Sequence, residues 1–239
     1  GPMPERCHGL TNIEARYRRR YLDVMVNEES RDRLRARSRI LSGIRSFMSN
    51  EGFLEVETPM LHQIYGGATA EPFITHHNAL DQDMYLRIAP ELYLKRVLVS
   101  GLSDKVFEVN RNFRNEVLST RHNPEFTMLE AYWSYADFTD AMDLAERMFA
   151  HLATMLHGTT TIPFGEHQLS FAAPFRRLSM PEAVKEKTGI DFLALKSDGA
   201  ARKAAGSLGL EVPKGTTWGE ALAFVFEEKV EADLLQPVH

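Results

Sequence analysis

The chain has 239 residues, 44% of them hydrophobic and 26% charged, a composition that supplies an ample core for an α/β or α+β fold. Its net charge of −5 excludes a broad basic field for general nucleic-acid binding, leaving only a local patch for any such contact. One cysteine, Cys7, excludes a disulfide framework or a cysteine-rich zinc site; with no signal peptide and no apolar run long enough to span a bilayer, a cytoplasmic protein without membrane contact is expected.

In chain order, Gly1-Pro2 has the form of a scar left by tag removal. Thr11–Asp23 carries Arg16-Tyr17-Arg18-Arg19-Arg20-Tyr21. The choice there lies between a nucleic-acid patch with interleaved aromatics and a helix whose arginines pair with nearby acids; the second is preferred. From Ser30 to Glu51, Leu34, Leu41, Ile44, Phe47 and Met48 recur at helical spacing, with Gly52 as a C-cap candidate and arginines over much of the remaining surface. Phe53–Val56 reads as a short strand closed by Thr58-Pro59. Gly66-Gly67 marks a turn. His76 and His77 point to opposite faces of a strand, and no carboxylate or cysteine is expected at ligand spacing, so no metal site is predicted. Met84–Ile88 reads as a strand, and Pro90 suits the first position of a helix with Glu91 in its first turn.

Val106–Tyr135 predicts strand, loop and strand. In Val106–Glu116 the polar residues Glu108, Asn110, Asn112, Arg114 and Glu116 recur every second position, with Phe107, Val109, Arg111 and Phe113 between them. Period two places successive side chains on opposite faces. On the return strand Phe126, Met128, Glu130 and Tyr132 share one face. A face that mixes guanidinium, carboxylates, amides, an aromatic ring and a phenol differs from the Lys-, Thr- and Ser-rich face that antiparallel sheets turn to water, and reads as a ligand platform. Beyond it, Asp137–His157 predicts a helix, Thr159–Phe171 a hairpin turning at Gly165, Leu178–Thr188 and Gly199–Gly206 two helices, and Trp218–Leu235 a further helix with Thr217 and Glu220 at capping-box spacing. Gln236-Pro237 is expected to open another strand.

The segment FRNE at Phe113–Glu116, followed by RHNPEFTMLEAY at Arg121–Tyr132, resembles motif 2 of the class II aminoacyl-tRNA synthetases in the form of the lysyl-tRNA synthetases. NEGFLEVETPML at Asn50–Leu61 resembles the end of motif 1, YLRIAPELYLKR at Tyr85–Arg96 the amino-acid-binding segment, and GGATAEPFITHHNALD at Gly66–Asp81 is similar to the same family. The resemblance implies an α+β fold: a class II aminoacyl-tRNA synthetase-type antiparallel sheet flanked by helices, C-terminally incomplete. Residues 1–25 would be tag remnant and connector arm, and residues 26–239 a partial catalytic domain with an insertion-like helical segment at about 176–216.

The resemblance further implies ATP-dependent activation of lysine to lysyl-adenylate and transfer to tRNA(Lys) in a full-length parent, with homodimerisation through the motif 1 helix. It assigns Arg114 to the α-phosphate and attacking carboxylate as the catalytic residue, Glu116 to the adenine amino group, and Phe126 to stacking under the base. His122 and Asn123 would lie over the phosphates. Gly67, Glu91, Glu130 and Tyr132 would bind lysine, Glu91 taking its α-ammonium. The family's C-terminal third, with motif 3, magnesium-binding acids and a glutamate for the ε-ammonium, has no counterpart in this sequence, so Mg²⁺ ligands are expected outside it. Impaired aminoacylation and an exposed sheet edge are expected. Val117 stands where the family usually has glycine, and Glu71 where it usually has a basic residue. Two alternatives stay open: a stand-alone paralogue that lysylates a protein, and a non-catalytic binding paralogue.

Overall fold

A computed structural model describes residues 10–116, 119 and 122–239; Gly1-Pro2, Cys7 and Val117 lie outside the described residues. The chain divides into two compact units, one ending at Asp137 and the other covering Phe138–His239.

The first unit opens with α1 (Ile13–Arg18) and α2 (Arg20–Val26), separated by a non-helical Arg19. The arginine run largely takes the ion-pair option. Arg16 and Arg20 donate to Asp23 at 2.8 and 2.9 Å, and Arg18 pairs with Glu14 at 2.8 Å. Asn27 and Ser30 also donate to Asp23. Burial pushes the Asp23 carboxyl up, but these four donors outweigh it and hold it far below the ordinary carboxylate range. Asp23 thereby ties the arm to the start of α3 (Glu28–Asn50).

Helix α3 ends as its sequence predicts. Gly52 adopts φ +83°, and the N–H groups of Gly52 and Phe53 bond back to Ser49 and Met48 at 3.0 Å, satisfying carbonyls the helix leaves open. Phe47 and Met48 are buried, whereas Leu34, expected on the same stripe, is 45% exposed. The C-terminal half of the helix is fastened to its own sheet by Arg45, which donates to Glu55 at 2.7 Å and to the Val109 carbonyl at 3.2 Å.

β1 (Leu54–Glu55), β2 (Leu61–His62), β3 (Ile74–His77), β4 (Gln82–Leu86), α4 (Glu91–Val99), β5 (Lys105–Phe113) and β6 (Glu125–Trp133) complete the unit. They form two sheets, β1-β5-β6 and β2-β4-β3. The pairs β5–β6, β2–β4 and β3–β4 are antiparallel as expected, but β1 runs parallel to β5. The intervening strands and α4 supply the long crossover that a parallel pair needs. β1 and β6 are the outer strands of the first sheet. Ile88, Leu94, Val106 and Phe107 are wholly buried and seat α4 on β5.

The second unit contains α5 (Phe138–His157), the hairpin β7 (Thr161–Phe164) and β8 (His167–Ser170), then α6 (Met180–Thr188), α7 (Asp198–Ser207) and α8 (Trp218–Lys229). Thr217 and Glu220 form the predicted capping box, and Ser179 with Glu182 forms a second. Val184, Phe192, Ala201, Ala205, Ala221 and Val225 are wholly buried where α6, α7 and α8 meet; the alanines let the helices approach closely. α8 stops before the expected Leu235, because a 3₁₀ turn at Glu231–Asp233 brings Leu234 back onto this core. In place of a strand after Gln236, Val238 makes a single bridge to Arg176. No helix among the described residues is long and apolar enough to cross a membrane.

Candidate functional site

The site is built on the β5–β6 hairpin. Its register sets Val106 opposite Tyr132, Glu108 opposite Glu130, Asn110 opposite Met128 and Asn112 opposite Phe126, so these residues share one face. The alternating pattern is thus recovered, but the face is not uniform. Two glutamates directly opposed would repel. Glu108 escapes that by turning into a buried network: Arg87 Nη1 donates to its Oε1 at 2.7 Å, and Thr58 Oγ1 donates to its Oε2 at 2.6 Å. Asn112 is likewise buried. These two residues form the floor beneath the accessible part of the face.

Glu130 is only half-buried and accepts from the Tyr132 hydroxyl at 3.1 Å. Burial pushes its carboxyl up, and the nearby charge of Glu91 adds to this; Tyr132, Arg87 and Arg114 act in the opposite sense without cancelling it. Burial and the charge of Glu130 also push the Tyr132 phenol up, which keeps it a hydrogen-bond donor.

Glu91 enters from the first turn of α4, after Pro90 as the residue preceding the helix rather than its first member. Its side chain lies against Gly67, whose φ is +89°; a Cβ on Gly67 would fall 2.8 Å from Glu91 Cβ and 3.3 Å from Glu91 Oε2. Only glycine accepts both that backbone conformation and that approach. Lys95, which the sequence reading passed over, bonds Glu91 Oε1 at 2.6 Å and stands 5.9 Å from the Tyr132 ring centroid. A Glu four residues before a Lys on one helix was the available signal.

Arg114 lies one residue beyond β5, where its N–H bonds the Pro124 carbonyl at 2.8 Å. Its guanidinium carbon sits 5.2 Å from the centroid of the Phe126 ring, a cation–π distance. Arg114 Nε is buried with no acceptor among the described residues. An oriented, unsatisfied guanidinium N–H fits a phosphate or carboxylate oxygen. Glu116, His122 and Asn123 are exposed at the far end of the hairpin. His122 Nδ1 meets Ser119 Oγ at 2.8 Å. The expected strand to Glu116 stops at Phe113 because the Asn115 N–H turns to the Glu71 carbonyl at 2.8 Å.

Elsewhere, His76 corrects an expectation. Carboxylates do follow it at contact distance, Asp83 at 3.0 Å and Asp81 at 3.4 Å. Among the described residues, however, no three His, Cys, Asp or Glu side chains are placed to hold a metal ion.

A protein-family model described as tRNA synthetases class II (D, K and N) matches residues 12–214. The chain is 70% identical to a lysine–tRNA ligase of Sinorhizobium medicae over 238 residues, 66% to that of Agrobacterium fabrum, and 54% over 236 residues to that of Carboxydothermus hydrogenoformans. Those alignments take in 99–100% of this chain and 48% of each relative. The chain thus spans about half the length of the curated relatives it matches.

Proposed function

Because the chain belongs to the class II tRNA synthetases of the D, K and N group, we propose that it carries the lysine- and ATP-binding face of a lysine–tRNA ligase. In the reaction assigned to it, a lysine carboxylate oxygen forms a bond to the α-phosphorus of ATP, the bond to the β-phosphate oxygen breaks, and pyrophosphate leaves with the electron pair. A ribose hydroxyl of tRNA(Lys) then takes the acyl group and AMP departs. Such chemistry rests on alignment and charge stabilisation and needs no protein nucleophile.

The observation that carries this reading is the position of Arg114, 5.2 Å from the Phe126 ring centroid, with a buried Nε–H that has no acceptor among the described residues. Its planar fork spans an α-phosphate and the attacking carboxylate; Phe126 underlies the base, and Glu116, His122 and Asn123 serve the nucleotide from the hairpin end. Glu91, with the Gly67 backbone, receives the α-ammonium, and Glu130 with Tyr132 lines the same pocket as a second carboxylate beside the dicationic substrate. Mg²⁺ would supply charge to the polyphosphate, but the described residues offer it no ligand set.

We further assign the protein to the cytoplasm and to a homodimer formed through α3, on which Leu34 is exposed. The helical segment at about 176–216, with α6 and α7, is taken as an insertion in the catalytic domain. Exchange of labelled pyrophosphate into ATP tests the activity. Exchange that requires lysine and prefers it to arginine and ornithine is expected; exchange indifferent to the amino acid contradicts the reading.

A further inference from the structure

We propose that Lys95 is a positioning residue that holds one oxygen of Glu91 so that the other is presented over Gly67 to the substrate α-ammonium. This rests on the lysine-binding role given to Glu91 above. Glu91 and Lys95 lie one turn apart on α4, and the Lys95 ammonium is 2.6 Å from Glu91 Oε1. Glu91 Oε2 is the oxygen that faces Gly67, 3.3 Å from the place of an added Cβ. The two carboxylate oxygens therefore have separate tasks, one anchored and one offered.

An ordinary surface pair joins two solvated groups and fixes neither. Here Lys95 is 57% exposed but the Glu91 side chain only 30%, and the free Glu91 oxygen is directed at backbone that only glycine can provide. The ammonium is also braced on its other side, 5.9 Å from the ring of Tyr132, the residue that donates to Glu130. Lys95 thus contacts Glu91 directly and stands near Tyr132, the partner of Glu130. It touches no reacting atom and works through Glu91.

The test is calorimetric titration of the 239-residue chain with lysine and with ε-aminocaproate, which keeps the carboxylate and side-chain ammonium of lysine but has no α-ammonium. Lys95→Met keeps the length of the side chain and removes its charge. It is expected to weaken lysine binding about tenfold, the scale of a misplaced orienting group, and to leave ε-aminocaproate unchanged. Lys95→Arg should restore most of the loss. If Lys95→Met leaves lysine binding unaltered, tightens it, or weakens both ligands equally, the positioning role is overturned while the pocket stands. Failure of the unsubstituted chain to bind lysine overturns the pocket and, with it, this role.

Discussion

Arg87 and Glu108 meet at 2.7 Å with each side chain only 1% exposed, Glu108 standing directly opposite Glu130 on the hairpin. The pair is completed by Thr58, whose hydroxyl and N–H both donate to Glu108, and by the Arg111 carbonyl, which accepts from Arg87 Nε at 2.9 Å. A buried pair satisfied on all sides fixes geometry more than it adds stability, and removal of one partner strands the other charge. Arg87→Met or Glu108→Leu alone is expected to destabilise the first unit by about 3–5 kcal/mol, and the double apolar replacement by much less. Urea unfolding of the three variants measures this; additive losses would contradict it.

The Glu130 carboxyl, pushed up by burial, gives lysine binding a pH dependence. The pocket needs Glu130 ionised, so affinity should begin to fall on acidification at a pH above the range of an exposed glutamate. Within that window lysine binding should release a proton, detected as a dependence of the calorimetric heat on the buffer's ionisation enthalpy. For folding the sign is opposite. A raised carboxyl favours the fold in its neutral form, so its contribution is present below the ordinary value and lost as pH rises through the folded one. Glu130→Gln should therefore stabilise the chain at neutral pH while weakening lysine binding, the trade common at functional sites.

Gly67→Ala should cost about 1–2 kcal/mol from the left-handed backbone alone, and its methyl would displace Glu91 from its present position. Lysine affinity should drop more than ATP affinity. Parallel titrations with the two ligands measure the difference.

Asp23 acts on the arm. Its carboxyl, pressed upward by burial yet held far down by Asn27, Ser30, Arg16 and Arg20, adds stability above the ordinary carboxylate range that is lost as pH falls through and below it. Asp23→Ala should cost on the order of 3 kcal/mol and free the first two helices, read as faster amide exchange in residues 13–26.

The hairpin was legible because period-two alternation is local: β5 and β6 lie within two or three residues of their predicted ends, and the shared face of Phe126, Met128, Glu130 and Tyr132 follows from it. Alternation could not say which polar residues on that face are covered. Glu108 is buried because Arg87 and Thr58 arrive from 21 and 50 residues upstream, information that spacing along a strand does not contain. The parallel pairing of β1 is likewise a tertiary result. Capping boxes were readable since both partners lie within one turn. Lys95 was written in the sequence at helical spacing from Glu91, yet its relation to Tyr132 required the fold.

Arg114 bears the central claim, since one side chain is asked to serve nucleotide and amino acid together. The most direct measurement is titration with a lysyl-adenylate mimic that carries a sulfamate in place of the phosphate and so spans both halves of the site. The unsubstituted chain should bind it far more tightly than lysine, and Arg114→Ala should lose about a hundredfold of that affinity with its unfolding midpoint unchanged. Equal binding of the mimic by the two proteins would contradict the account.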